Sequence, residues 1–312
     1  MRTNLPLLLV LAASSPTLAA ATTQPTGPQD PPLRARIAWQ VALERSGFSP
    51  GLVDGKAGTR TQQATREFQR AGGLAETGKL DAPTQAALGV EPTGAIRSYT
   101  VRQEDLAQLG PAPRSWTGKS QLARLAYPSL EEMLAEKFHC SRALLAELNP
   151  GKDLGGLKPG QSLLVPAAAE ARPLQGRRIV VDLGRKLVRV VDGSGKTLGL
   201  FHCSIAADKA KLPAGRASVA VIARNPTYVF DPGMWPEVKS VRRKLLIPPG
   251  PRNPVGLCWI GLSLRGYGIH GTPAPELIGK TGSHGCIRLT NWDALRLGGM
   301  VRVGTPVAFV TN

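Results

Sequence analysis

The sequence predicts a multidomain chain: a small three-helix N-terminal domain, a βααβ domain, and a mostly β C-terminal domain, sandwich-like or a barrel-like sheet. Three observations predict it. Residues 34–90 carry helical apolar spacing punctuated by glycines. Residues 98–166 place a strand pattern at each end of two short helical patterns. From Arg177 onward, apolar and polar residues alternate in period 2. The length of 312 residues suffices for two or three domains, and 42% hydrophobic content is that of a globular chain.

Taken in order, residues 1–21, "MRTNLPLLLVLAASSPTLAAA", have an early charge at Arg2, an apolar centre from Leu5 to Ala13 and small residues at Ala19 to Ala21. This is the pattern of a secretory signal peptide. The apolar run is far shorter than the ~20 residues a transmembrane anchor needs, and no cysteine near the cleavage region suggests a lipid anchor. The chain is expected to be exported. Residues 22–33 are Pro, Thr and Gln rich and read as a linker.

Within 34–90, Ile37, Val41 and Leu43 form part of a helical stripe that stops at Gly47. A second helix is expected from Thr61 to Phe68, with Ala64 and Phe68 on one face. A third runs from Asp81 to Leu88, with Asp81 as N-cap and Gly89 as the stop. The residues "GFSPGLVDGKAG", Phe68-Gln69 and "TGKLDAPTQAAL" closely resemble the peptidoglycan-binding domain type 1 family, which implies wall binding.

Residues 98–166 begin "YTV" and end "LNPGKDLGGLKPGQSLLVP", with short helices expected over Leu130 to Phe138 and Ala143 to Leu148. The "LNPG", "LKPGQ" and "VP" segments resemble a LysM domain, so this is a LysM-like βααβ domain. It departs from that pattern by an insertion from about Ala107 to Tyr127. Residues 167–176 read as a second linker.

The C-terminal domain, 177–312, opens "RIVVDLGRKLVRVVDGSGKTLGLFHCSIA", with Asp192-Gly193 as a hairpin signal. Strand patterns recur in "ASVAVIARNPTYVF", "GLCWIGLSLRGYGIHG" and "TPVAFVT". Helix signals are confined to Pro275–Ile278 and to Trp292–Leu297, the latter with Asn291 as cap. Residues 232–255 are Pro-rich and basic, the texture of a lid or substrate-binding loop.

Charge narrows the partners. The chain carries +17, and residues 177–312 contribute 20 Lys and Arg against 7 Asp and Glu, leaving +13. An exported chain without a nucleic-acid motif points away from nucleic acid and towards an anionic envelope polymer, or simply to a solubilising surface.

Four cysteines, Cys140, Cys203, Cys258 and Cys286, leave several readings open. Cys203 and Cys258 lie on apolar strand segments and could pair, or be small buried hydrophobes. No Cys-x2-Cys spacing supports zinc, and no metal or cofactor is expected. Cys286, in "GSHGCIRL", suits nucleophilic chemistry. His270 lies sixteen residues upstream at the end of "GYGIH", and a glycine- and proline-rich loop could return Cys286 to it. Gly282 and Gly285, just before Cys286, let the backbone turn so that N–H groups converge on an oxyanion. Arg288 and His284 add positive charge, which lowers a thiol pKa.

"IHGTPAPELIGKTGSHGCIRLTNWDAL" further resembles the signature of the L,D-transpeptidase (YkuD-like) family, His-Gly-Thr followed by Ser-His-Gly-Cys-x-Arg-x-x-Asn. The likeness reaches upstream through "VDLGRKLVRVVDG", "LPAGRASV", "RNPTY" and "GPRNPVGLCWIGL", about 130 residues in all. It implies Cys286 as nucleophile, His270 as general base or ion-pair partner, and the Gly271 carbonyl as orienter of the imidazole. The N–H groups of Gly285 and Cys286 would form the oxyanion hole. Ser283, His284, Arg288 and Asn291 would shape the site or hold substrate carboxylates. The implied reaction is acyl transfer on peptidoglycan tetrapeptide stems through a Cys thioester, in a periplasm. The products would be 3-3 cross-links or an attached envelope protein. L,D-carboxypeptidase activity and a non-catalytic wall-binding scaffold are the alternatives.

Overall fold

A computed structural model describes residues 31–168, 174–235, 237–283 and 285–311. The signal peptide expected at 1–21, most of the 22–33 linker, part of the 167–176 linker and His284 lie outside them. The first described element is helix α1 (Pro31–Arg45), which begins within the stretch read as the 22–33 linker. Helices α2 (Thr59–Ala71) and α3 (Ala82–Leu88) follow. Asp81 caps α3 by accepting from the Thr84 N–H at 3.1 Å, and Gly89 ends it in the left-handed region at φ 60°.

Every residue from Ile37 to Glu44 is buried, a wider face than the three-residue apolar stripe predicts. The cause is that α1 lies between two neighbours. Ile37 and Val41 join the core of the middle region with Met133, Leu134 and Leu145. Trp39, Leu43, Phe48 and Ala64 pack instead with Leu187 and Leu200 of the C-terminal sheet. A helix buried all round belongs to a shared core, so the three-helix region is built into the molecule.

The middle region has strand β1 (Ile96–Thr100) paired antiparallel with β2 (Ser162–Pro166). Between them lie α4 (Gln103–Leu106), α5 (Trp116–Ser120), α6 (Leu130–Lys137) and α7 (Arg142–Leu148). Asn149 of "LNPG" fastens α7 to β2: its Nδ2 donates to the Leu145 and Leu164 carbonyls, and its Oδ1 accepts from the Leu164 N–H at 2.7 Å. The inserted stretch contributes α5, which leaves this region and packs elsewhere.

In the C-terminal domain the strands are β3 (Arg178–Asp182), β4 (Leu187–Val191), β5 (Thr197–His202), β6 (Arg216–Arg224), β7 (Tyr228–Phe230) and β8 (Leu245–Ile247). Then come β9 (Cys258–Leu262), β10 (Gly268–His270), β11 (Ile287–Arg288), helix α8 (Asn291–Met300) and β12 (Pro306–Val310). The sandwich-like expectation needs correction. Eight strands form one sheet in the order β11-β10-β9-β6-β12-β3-β4-β5, while β7 and β8 make a separate hairpin. The sheet curls into a half-barrel whose two ends meet. Ser204, just past β5, and Arg288 of β11 exchange backbone hydrogen bonds of 2.9 Å in each direction. Period-2 alternation says that each strand has a buried face, but not whether a second sheet or the same sheet covers it. α8 fills the concave side with Ala294, Leu297 and Met300, against Ile260, Ile269 and Val307. The β5 edge is not left bare: Ser49 N–H donates to the Leu200 carbonyl, and Leu200 N–H to Gly47, each at 3.0 Å. No helix among the described residues is long and apolar enough to cross a membrane.

Candidate active site

β10 and β11 are short parallel neighbours, with Ile269 opposite Ile287 and His270 opposite Arg288. Cys286 therefore enters the sheet beside Gly268, one position before this register. His270 and Gly268 share a face of β10, as Cys286 and Arg288 share one of the adjoining chain. The pairing thus brings the imidazole and the thiol to one side of the sheet, diagonally across a residue without a side chain. Trp259 occupies the space above that residue: a Cβ on Gly268 would come within 2.4 Å of the indole. The indole, directly across from His270 on β9, stacks on the imidazole at 5.6 Å and 27°.

His270 is buried, and the Gly271 carbonyl accepts from its Nδ1 at 2.7 Å. A carbonyl only accepts, so Nδ1 carries the proton and Nε2 is the free base. Burial pushes the imidazole down to about 4, with help from the Arg288 charge and against the Gly271 hydrogen bond. At neutral pH the ring is neutral.

Burial also raises the Cys286 thiol above its ordinary value, partly offset by a Gly268 backbone hydrogen bond and the Arg288 charge. Its Sγ lies 3.7 Å from the Gly266 carbonyl, a donor's contact. The net direction is opposite to the lowered thiol pKa expected from neighbouring positive charge, because desolvation outweighs Arg288. Thiol and imidazole are thus both neutral in the free protein, a state suited to a general base rather than to a preformed ion pair.

A cavity of about 720 Å³ opens over this pair. Cys286, His270, Arg288, Gly285 and Ser283 all line it. Its other wall comes from the β7–β8 hairpin and the turn after β7, through Tyr228 and Trp235. The Pro-rich stretch thus borders the cavity. Trp235 Nε1 donates to the Tyr228 hydroxyl at 3.2 Å. α5 backs this wall: Trp116 stacks on Phe230 with centroids 4.1 Å apart, and the Leu125 N–H donates to the Pro249 carbonyl at 2.8 Å. Sequence reasoning missed Tyr228, Trp235 and Trp259. Their signal was an aromatic cluster around a basic loop in a chain with only 5% aromatics.

The remaining expected residues divide. The Ser283 hydroxyl donates to the Cys286 carbonyl and accepts weakly from the Gly285 N–H at 3.3 Å. A substrate oxygen would compete with that weak bond. Arg288 Nη2 donates to the Thr281 and Gly282 carbonyls, so it shapes the loop before Cys286. Asn291 is neither helix cap nor part of the cavity lining. Thr290 is the cap, its Oγ1 accepting from the Asp293 N–H at 3.1 Å. The buried Asn291 amide sits behind Gly271, where a Cβ would come within 2.3 Å of Oδ1. Tertiary space decides between these adjacent residues, both good caps by type. All four cysteines are free, Cys140, Cys203 and Cys258 buried and Cys286 half-buried. Among the described residues no group of three or more His, Cys, Asp or Glu side chains could hold a metal.

Two family models match the chain: "L,D-transpeptidase catalytic domain" over residues 176–308 and "Putative peptidoglycan binding domain" over residues 34–88. The "Putative L,D-transpeptidase YkuD" of Bacillus licheniformis is 32% identical over 177 residues, 57% of this chain and 91% of that protein. The "Putative L,D-transpeptidase YqjB" of Bacillus subtilis is 34% identical over 140 residues, 43% of this chain and 72% of that protein. Among solved structures, the match to the L,D-transpeptidase of Xylanimonas cellulosilytica is 18% identical and covers 88% of this chain and 92% of that one, with a TM-score of 0.36. The chain belongs to the L,D-transpeptidase family of cysteine transpeptidases, and carries an N-terminal domain of the peptidoglycan-binding type.

Proposed function

We propose that Cys286 is the nucleophile and His270 the general base of acyl transfer on peptidoglycan tetrapeptide stems. The supporting observation is the 2.7 Å bond from His270 Nδ1 to the Gly271 carbonyl, which leaves Nε2 as the base in the cavity that Cys286 lines. Nε2 takes the thiol proton as Sγ attacks the carbonyl between the L-centre of a diamino acid and the terminal D-Ala. The Gly285 and Cys286 N–H groups hold the oxyanion. The imidazolium returns the proton to the departing D-Ala amine, leaving a thioester. An acceptor amine then attacks the thioester, His270 takes its proton and passes it to the departing thiolate, and the product is a new amide with the thiol restored. A stem amine makes a 3-3 cross-link, and a lysine amine attaches an envelope protein. The neutral pair suits this sequence, because charge appears only as the transition state forms.

The domain division, 34–90, 98–166 and 177–312, is part of the same proposal, as is a LysM-like glycan-binding role for the middle region. The β1–β2 pair flanking α6 and α7 supports that role. So does a surface hollow of about 470 Å³ beside Lys152, Asp153 and Gln161. Export to a periplasm rests on residues 1–21 and on the wall-directed family.

Incubation with purified disaccharide-tetrapeptide, read by mass spectrometry, tests the reading. Dimer formed with loss of D-Ala supports transpeptidation, whereas tripeptide alone means that water is the acceptor. No turnover, with Cys286→Ala indistinguishable from the wild type, sinks the enzymatic reading.

A further inference from the structure

We infer that Glu136, on α6 of the middle region, is a positioning residue for His270, acting across the domain boundary through Asn291 and Gly271. Glu136 Oε1 accepts two hydrogen bonds, from Asn291 Nδ2 at 3.0 Å and from the Tyr127 hydroxyl at 2.8 Å. The other end of the Asn291 amide accepts from the Leu257 N–H at 3.1 Å. Between these anchors the amide is pressed on Gly271: a Cβ there would meet Asn291 Oδ1 at 2.3 Å and its Cα at 3.2 Å. The carbonyl of that same Gly271 holds His270 Nδ1 at 2.7 Å. Each link is a direct contact, so the orientation of the Gly271 peptide depends on which way the Asn291 amide points.

Asn291 is held from both sides of the domain boundary: by the Leu257 N–H and by the Pro251 carbonyl, which accepts from Nδ2 at 3.2 Å, within its own domain, and by Glu136 from the middle region. Glu136 is 155 residues away in sequence. Tyr127, which holds Glu136 from the other side, closes the insertion that separates this region from the LysM pattern. Arg252 and Glu132 form an ion pair of 3.0 Å between the same two regions. Burial raises the Glu136 carboxyl to about 7, against the Asn291 and Tyr127 hydrogen bonds. Carboxylate and neutral acid both offer an accepting oxygen to Asn291, and so would a glutamine amide. A displaced Gly271 carbonyl would free Nδ1 and let the ring take the other tautomer, with the proton on Nε2, where it cannot act as base.

The inference rests on the proposed role of His270, and the experiment separates the two. It uses the full chain, with kcat and KM measured on disaccharide-tetrapeptide and the His270 ring nitrogens observed by 15N NMR. Glu136→Ala is expected to lower kcat by about 10- to 100-fold, the order that follows a sub-ångström to 1 Å misplacement, with KM within about twofold. The Nε2-protonated tautomer should appear, and Glu136→Gln should retain kcat within about threefold. Glu136→Asp, which withdraws the oxygen by one methylene, is read in the same way if the alanine variant does not fold. Wild-type kcat and tautomer in a folded Glu136→Ala or Glu136→Asp protein overturn the inference. So does equal loss in the alanine and glutamine variants with the tautomer unchanged. His270→Ala is the control: if it turns over normally, the role of His270 falls too, whereas inactive His270→Ala beside wild-type Glu136→Ala sinks only the positioning role.

Discussion

Arg189 of β4 grips Glu67 of α2 through two hydrogen bonds, Nε to Oε2 at 2.8 Å and Nη2 to Oε1 at 2.6 Å, and reaches Asp182 Oδ2 at 3.2 Å. Both Arg189 and Glu67 are buried. The peptidoglycan-binding domain is therefore clamped to the catalytic sheet, and its position relative to the cavity is set. Glu67→Ala should destabilise the protein by about 3–5 kcal/mol, because it leaves a buried guanidinium with one partner fewer. The midpoint of urea unfolding checks this, and an unchanged midpoint would mean that solvent reaches the site.

At the junction of the three regions, Asp293 is buried and accepts from Ser49 Oγ at 3.0 Å. Burial pushes it up to about 8, with repulsion from Glu44 adding and Arg296 opposing. In the unfolded chain it ionises near pH ~4. Between these values the native state holds the extra proton, so stability falls as pH rises from ~4 towards 8. Glu44 behaves in the opposite way. Burial alone would raise it, but Arg296 and His139 lower it overall, and its contribution is lost only as pH falls through the acid range. Asp293→Asn should flatten the decline between pH 5 and 8, as read from unfolding midpoints at both ends.

Burial raises the Cys140 thiol to about 12 and the Cys258 thiol to about 11, and carries Cys203 in the same direction. Iodoacetamide on the native protein should label Cys286 alone, and on the denatured, unreduced protein all four cysteines. Labelling of Cys286 should accelerate as pH climbs beyond the usual thiol range, since burial raises it too. Arg288→Gln should move that rise to higher pH. Two unreactive thiols after denaturation would reveal a disulfide.

Trp116 stacks on Phe230 and lies 5.9 Å from Trp235, so α5 braces the wall of the cavity. Such an aromatic pair contributes about 0.5–1.5 kcal/mol beyond its buried area. Trp116→Ala should raise KM by up to about tenfold and leave kcat near the wild type. Trypsin should cut faster at the exposed Lys239, Arg242, Arg243 and Lys244 of the hairpin loop. Unchanged KM and cleavage would mean that the hairpin stands without its brace.

What could be read directly was local. Asp81 and Gly89 bound α3 because capping is decided within four residues. "GYGIH" and "GSHGCIRL" supplied His270 and Cys286 as candidates, and the parallel pairing of β10 with β11 is what brings them to one side of the sheet. The alternation from Arg177 onward, equally local, predicted strands. By itself, then, the sequence determined most element types, Cys286 and His270 as the candidate pair, and the family pattern, while α4, α5 and β8 had no local signal strong enough to read. Tertiary structure alone decided that the sheet closes on itself instead of stacking on another, and that α1 is buried on both sides. It also decided that Asn291 backs Gly271 while Thr290 caps the helix, and that Trp116, Glu136 and Arg189 join the domains. The last three join residues more than a hundred positions apart. Long-range burial also sets the protonation of Asp293 and Cys286, since desolvation depends on what the rest of the chain packs around a group, which local spacing does not record.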